Sequence, residues 1–338
     1  MSSPFVHHNG EVRLVIQIPC FNEATTLPET LADLPRVVPG FNEVLWLVVD
    51  DGSTDATAEI AKTHGADVVV KLTQNKGLAV AFQAGLDASL QLGADVIVNT
   101  DADNQYSAQD IPRLVEPITR GTADLVIGTR DIANHNEFSF LKKCLQRIGS
   151  WVVRQASATD VSDVTSGFRA YSKEAALQAN VVSQFTYTLE TLIQAGRSDL
   201  AVADVPIKVN PTKRPSRLFG SKRQYIRRSA GTISRVYAMH QPLRVFNIPA
   251  ALFGIAGLVL FGRFGWFYLT SGGEGHVQSL IVGAVCLLVA MQMLMLGVLA
   301  DLLRSNRVIG ERVLRRVRNI ELTVAPHASP DAEPSNES

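Results

Sequence analysis

Cysteine is scarce in this chain: Cys20, Cys144 and Cys286 are the three among 338 residues, far apart and without metal-ligand spacing. They cannot all pair with one another, so no disulfide framework or thiolate metal site is expected, and all three are read as reduced. Net charge is also lacking, with 32 basic residues against 32 acidic ones, which removes a whole-protein field for nucleic acid. The opening MSSPFVHHNGEV has no basic start followed by an apolar core. No secretory signal is therefore expected, and the first domain is expected to stay in the cytosol.

What is present is enough chain for one large domain with an appendage, and 46% hydrophobic residues to fill its core. From Val12 to Gly128, β-branched runs (VRLVIQI, VLWLVVD, DVVVK, DVIVNT, DLVIG) alternate with Ala/Leu-rich stretches of helical length. That alternation predicts an α/β domain whose mostly parallel sheet is flanked by helices. Ligands bind such sheets beyond the carboxyl ends of the strands. The polar clusters PCFNE, DDGSTD and DADNQ each follow a strand directly, so three strand ends point at one site.

At that site Asp51 is a candidate acceptor for nucleobase or ribose donors, whereas Ser53 or Asp55 suits a helix cap. Asp101 and Asp103, one residue apart after a strand, suit a hard divalent cation that keeps positions open for phosphate. A solvated turn leading to a cap at Ser107 is the plainer alternative. Asn75, Lys76 and Gly77 precede a helix and offer N–H groups to a phosphate; a surface turn reads the same way. Asn22 and Glu23 suit either a nucleoside contact or a cap.

Residues 138–155 read as an amphipathic basic helix, either packed on the sheet or lying at a membrane interface. Basic residues then crowd between Lys213 and Arg244. Two apolar segments follow, Leu243 to Leu269 and Leu280 to Leu303, each reaching the ~20 residues a bilayer core needs. Lys and Arg flank the pair on the outside and are absent from the connector TSGGEGHVQ, so both flanks are expected in the cytosol. Arg263, inside the first segment, is read as snorkelling to the far interface rather than as a functional charge. The tail from Val324 has a disordered composition. The expected divisions are a catalytic domain at 1–212, a basic juxtamembrane segment at 213–242, two transmembrane helices at 243–303, a basic cytosolic helix at 304–322 and a disordered tail at 323–338.

PCFNE, VVDDGSTDAT, NKGLAVAFQAG, DADNQY, IGTR and DVTSGFRAY stand in the order and rough spacing of glycosyltransferase family 2. The chain resembles this family, and its polyprenyl-phosphate and dolichyl-phosphate sugar synthases in particular, over residues 12–210. The resemblance implies the GT-A fold and inverting transfer from a UDP- or GDP-sugar to a polyprenyl or dolichyl phosphate. It places Pro19, Asn22, Glu23, Asp51 and Lys76 with Asp101 around the donor nucleotide. It also puts Asp101, Asp103 and Gln105 on Mg²⁺ or Mn²⁺, and Arg130 beside the phosphates. Ser166 and Arg169 would serve the acceptor phosphate. The basic segment by itself offers Arg214, Arg217, Lys222 and Arg223 as further acceptor contacts, or as charges that only keep this stretch in the cytosol. The departures are Asn104 and Tyr106, where DADGQH or DADLQH is more familiar. The Q-x-x-R-W signature of processive polysaccharide synthases is absent.

The expected product is a glycosylated lipid phosphate made on the cytosolic face of the membrane, the plasma membrane in a prokaryote. Membrane lipids are expected partners, nucleic acid is not, and a homo-oligomer is compatible with the sequence. Two other readings are transfer to a glycolipid or diacylglycerol hydroxyl, which needs a general base, and a non-catalytic scaffold that retains nucleotide-sugar binding.

Overall fold

The structure, a computed structural model, describes residues 12–130, 161, 163–181, 187–198, 200–210, 241–271 and 277–324. The amphipathic stretch at 138–155 and the basic segment through residue 240, with Arg214, Arg217, Lys222 and Arg223, lie outside the described residues.

The five expected strands form: β1 (Arg13–Cys20), β2 (Glu43–Asp50), β3 (Val68–Lys71), β4 (Val96–Asn99) and β5 (Leu125–Arg130). Two more complete the sheet, β6 (Arg169–Ser172) and β7 (Val202–Ile207), in the order β3-β2-β1-β4-β6-β5-β7. β6 runs antiparallel to both β4 and β5, and every other pairing is parallel. The sheet is thus mixed and mostly parallel; the strand–helix alternation predicts its parallel majority. Strands β1, β2 and β4 are buried almost throughout, which explains their unbroken apolar runs. Two polar residues interrupt those runs, Gln17 and Asn99, and they sit opposite each other in the β1–β4 register.

Between the strands lie α1 (Leu27–Asp33), α2 (Thr57–Thr63), α3 (Leu78–Gln91) and α4 (Ile111–Thr119), followed by α5 (Lys173–Gln178) and α6 (Tyr187–Arg197). Pro19 falls within β1 beyond the last β1–β4 pair, so its missing N–H removes no ladder bond on that side.

Two long apolar helices follow, α7 (Pro242–Ser271) and α8 (Val277–Val324). Both are long and apolar enough to cross a bilayer, and only 11% and 17% of their most apolar windows are buried, unlike the core helices of a soluble domain. They approach through glycine: a Cβ on Gly257 would lie 2.8 Å from Leu287 Cγ, and one on Gly283 2.8 Å from Phe261 Cδ2. Arg263 is exposed, with its guanidinium 5.8 Å from the Phe267 ring centre, beside exposed Trp266 and Tyr268. A Trp and a Tyr beside an Arg at a helix end suit the membrane–water interface.

The described residues fall into two compact units, one holding those up to residue 210 together with those from Arg312 on, the other those from 241 to Glu311. The basic stretch expected as a helix at 304–322 is helical, and it is continuous with the second apolar segment in α8. Its last turns belong to the sheet-bearing unit, where Arg318 donates to the Ala179 carbonyl at 2.8 Å and pairs with Asp87 of α3 at 3.3 Å. Arg315 pairs with Glu174 of α5.

Candidate active site

The carboxyl ends of β1, β2, β4 and β5 share one edge of the sheet, and the antiparallel sense of β6 brings the residues before it, 163–168, to that same edge. The loops after β1 and β2 are laced together. Ser53 Oγ accepts the Asn22 N–H at 2.9 Å, Asn22 Oδ1 accepts the Thr54 N–H at 2.9 Å, and Thr57 Oγ1 accepts the Glu23 N–H at 3.0 Å. Asn22 adopts φ 54°, a left-handed conformation that Asn tolerates better than most residues. Asp55 accepts the Thr57 N–H at 3.0 Å, so it serves the start of α2, as its position predicts.

Asp51 is 3% exposed, and its two oxygens accept the Lys76 and Gly77 N–H groups at 2.8 Å each. The amides expected to greet a phosphate are therefore already held by a carboxylate from another loop that anchors the turn before α3, a correction to that expectation. Lys76 itself is exposed beside this clamp. Gly52 at φ 68° makes the approach feasible, since a Cβ there would stand 2.4 Å from the Gln74 carbonyl carbon.

After β4, Asp101 and Asp103 carry the densest negative charge of the site. Burial, then the Asp103 charge, push the Asp101 carboxyl up to about 7, against the opposing pull of Arg130. Asp103 Oδ1 accepts the Gln105 N–H at 3.1 Å. Asn104 takes φ 53°, which accounts for Asn where the family more often has Gly. Tyr106 is 4% exposed, stacks on Phe168 at 5.2 Å, and accepts the Gly167 N–H at 3.2 Å. Burial and then the Asp101 charge raise its phenol to about 12, so at this position the chain has a core residue rather than a titrating one.

No third His, Cys, Asp or Glu joins the pair to make a metal cluster among the described residues. Two carboxylates that repel one another, with the neutral Gln105 amide close by in sequence, suit a hard cation that completes its shell with phosphate oxygens. The residues present therefore fit Mg²⁺ or Mn²⁺.

Arg130 ends β5 and is gripped by Asp163, Nε to Oδ2 at 2.7 Å and Nη2 to Oδ1 at 3.1 Å, with Nη2 also donating to Thr165 Oγ1 at 3.0 Å. Burial would raise the Asp163 carboxyl, but the Arg130 hydrogen bonds and charge override it and hold it below the usual range. Arg169 has a different place from the one expected. It is fully buried, donating to the carbonyls of Val164, Ser166 and Thr188 and to Thr191 Oγ1. Its guanidinium ties the 163–168 loop to α6 from inside and has no face for an acceptor phosphate. Ser166 is also fully buried.

Asp163, which opens DVTSGFRAY, and Asn99 and Tyr187 are partners of these residues to which the motifs assign no role. Asn99 Nδ2 donates to the Gly167 carbonyl at 2.9 Å and to Tyr187 Oη at 3.0 Å, while its Oδ1 accepts from Gln17 Nε2 at 2.9 Å. The available signal was a polar residue inside each of two otherwise apolar strands. Asp163 stands three residues ahead of SGFR, and nothing local marks its partner.

Comparison with known proteins agrees with this geometry. The glycosyl transferase family 2 model matches residues 15–178. The undecaprenyl-phosphate mannosyltransferase of Micrococcus luteus is 32% identical over 206 residues, covering 58% of this chain and 83% of that protein. Glycosyltransferase AglJ of Haloferax volcanii is 29% identical over 322 residues, covering 90% of this chain and 97% of that one. Among solved structures, the glucosyl-3-phosphoglycerate synthase of Mycobacterium tuberculosis, in complex with Mn²⁺, UDP-glucose and phosphoglyceric acid, superposes with TM-score 0.51 at 20% identity, over 68% of this chain and 79% of that one. That likeness speaks to the fold. With the mixed sheet, the strand-end carboxylates and these matches together, the chain belongs to glycosyltransferase family 2 and is a glycosyltransferase of the GT-A fold.

Proposed function

We propose that the enzyme transfers a sugar from a nucleotide diphosphate sugar to a polyprenyl phosphate at the cytosolic face of a membrane, with inversion at the anomeric carbon. The observation that carries this is the Asp101–Asp103 pair at the end of β4, set beside the Asp163-held guanidinium of Arg130. The acceptor class rests on the named activity of the Micrococcus relative and on the two apolar helices.

In this reading the loops of Pro19, Asn22, Glu23 and Asp51 border the nucleoside, with Lys76 at the rim. Asp101, Asp103 and Gln105 hold Mg²⁺ or Mn²⁺, which when bound neutralises charge on the departing nucleoside diphosphate. Arg130 presents a cation whose orientation Asp163 fixes, suited to an anion on donor or acceptor. The acceptor needs no strong base, because the second pKa of a phosphate monoester is ~6 and its oxygen is largely ionised at neutral pH. Holding that oxygen in line with C1 then supplies much of the rate. The basic segment holding Arg214, Arg217, Lys222 and Arg223 would draw the anionic lipid head toward the site. Positive flanks keep both ends of the hairpin in the cytosol.

The test is full-length protein in detergent with Mn²⁺ or Mg²⁺, a panel of UDP- and GDP-sugars, and undecaprenyl phosphate alongside diacylglycerol, read by mass spectrometry of the lipid. A glycosylated lipid phosphate is expected. Modification of diacylglycerol alone would sink the acceptor assignment, and donor turnover independent of divalent cation would sink the metal assignment.

A further inference from the structure

A donor without an acceptor and an acceptor without a donor face each other beside β4. A Cβ built on Gly167 would stand 2.7 Å from Tyr187 Oη, 3.2 Å from Asp101 Oδ1 and 3.3 Å from Asp101 Oδ2. Glycine is therefore what lets the hydroxyl and the carboxylate share this corner. Tyr187 Oη accepts from Asn99 Nδ2 at 3.0 Å, and an oxygen that accepts in one direction sends its own proton in another. Among the described residues no acceptor takes that proton, and no hydrogen bond reaches the Asp101 carboxylate.

The hydroxyl is also fixed in place. The Tyr187 ring is 2% exposed and stacks on Phe82 with centroids 4.0 Å apart and planes 13° from parallel. Asn99 is locked in turn by Gln17 and the Gly167 carbonyl. A carboxylate bound to a cation is usually hydrogen-bonded by a neighbouring group that orients it. Tyr187 Oη and both Asp101 oxygens flank the same Gly167 corner.

We infer that Tyr187 is a positioning residue for Asp101, its O–H turning across the Gly167 corner to the carboxylate when a cation is held there. The inference rests on the proposed cation site. It assigns a use to the buried Gln17–Asn99–Tyr187 chain, whose three members lie on β1, β4 and α6.

The experiment measures Mn²⁺ binding directly, by the loss of the free-ion signal in electron paramagnetic resonance, on full-length protein in detergent with and without UDP or GDP. Tyr187→Phe keeps the stack on Phe82 and removes only the hydroxyl. It is expected to bind Mn²⁺ roughly tenfold more weakly, the size seen when such a supporting partner is lost, with a modest fall in unfolding temperature because buried Asn99 Nδ2 loses an acceptor, and turnover largely restored by excess Mn²⁺. Gly167→Ala, which drives the hydroxyl and the carboxylate apart, is expected to weaken binding in the same sense. Wild-type Mn²⁺ affinity in Tyr187→Phe would overturn the positioning role alone, whether or not stability falls. A wild-type protein that binds no Mn²⁺ under either condition would overturn it together with the cation site.

Discussion

Arg130 and Asp163 meet at two points, Nε to Oδ2 at 2.7 Å and Nη2 to Oδ1 at 3.1 Å, across a pair of side chains that are 24% and 2% exposed. Removing one partner of such a pair leaves a charge without compensation. Asp163→Ala is expected to cost about 3 kcal/mol in unfolding free energy, at the low end of the range for buried pairs because Arg130 keeps some solvent. It should also lower kcat/KM at least about tenfold by releasing the guanidinium, the scale of one lost charged hydrogen bond. Because the Asp163 carboxyl is held below its unfolded value, its stabilisation is present above about pH 4 and is lost as pH falls through the folded value. Acid unfolding followed by circular dichroism should therefore begin at higher pH in Asp163→Asn than in wild type.

The sign is opposite at Asp101. Its carboxyl is pushed up to about 7, so the folded protein takes up a proton between about pH 4 and 7 and loses stability as pH rises through that window. A cation bound there reverses the trend. Unfolding temperatures measured from pH 5 to 8 should fall with pH in chelator and flatten or rise in Mn²⁺, and Mn²⁺ affinity should increase toward pH 8. Asp103→Asn removes the like charge that helps raise Asp101, and should shift the affinity profile to lower pH while weakening it. A profile that does not move in that variant would count against the coupling.

Asp103→Ala tests the catalytic use of the pair. Donor turnover should drop to background with the unfolding temperature equal to or above that of wild type, since the change relieves repulsion rather than packing. Normal turnover would remove Asp103 from the metal site.

Asp51 anchors the turn before α3 from another loop through two 2.8 Å bonds to the Lys76 and Gly77 amides. Asp51→Ala should cost roughly 2 kcal/mol, because two donors lose a charged acceptor together. Hydrogen exchange at these two amides should accelerate in this variant. If the carboxylate also touches the nucleoside, the donor KM rises as well, so the two effects are read separately by exchange and by kinetics.

The hairpin makes a prediction of its own. A side chain at Gly257 would meet Leu287 Cγ at 2.8 Å and the Gly283 carbonyl at 3.0 Å. Gly257→Ile should separate α7 from α8 and lower the temperature at which the detergent-solubilised protein aggregates, whereas Gly262→Ala, where nothing lies within 4 Å, should not.

What the sequence determined by itself is what local pattern controls. β-branched runs made strands β1 to β5, polar clusters after three of them marked the ligand edge, and sustained apolar length made the two helices of the hairpin. Asn104 in a left-handed conformation shows that one departure from the family motif is a conservative answer to the same backbone demand. The tertiary structure decided which partner each polar group found. Arg130 and Arg169 look alike in their motifs, yet one stands at the site mouth on Asp163 and the other is sealed among carbonyls. Asp51 reached amides 25 and 26 residues away, and Asn99 reached a hydroxyl 88 residues away. β6 was invisible as an antiparallel insertion because strand direction leaves no local trace, and α8 runs on from its apolar stretch into its basic one because both are helical. Periodicity and composition act over a few neighbours along the chain, whereas a buried polar group pairs with whatever the fold brings within about 3 Å.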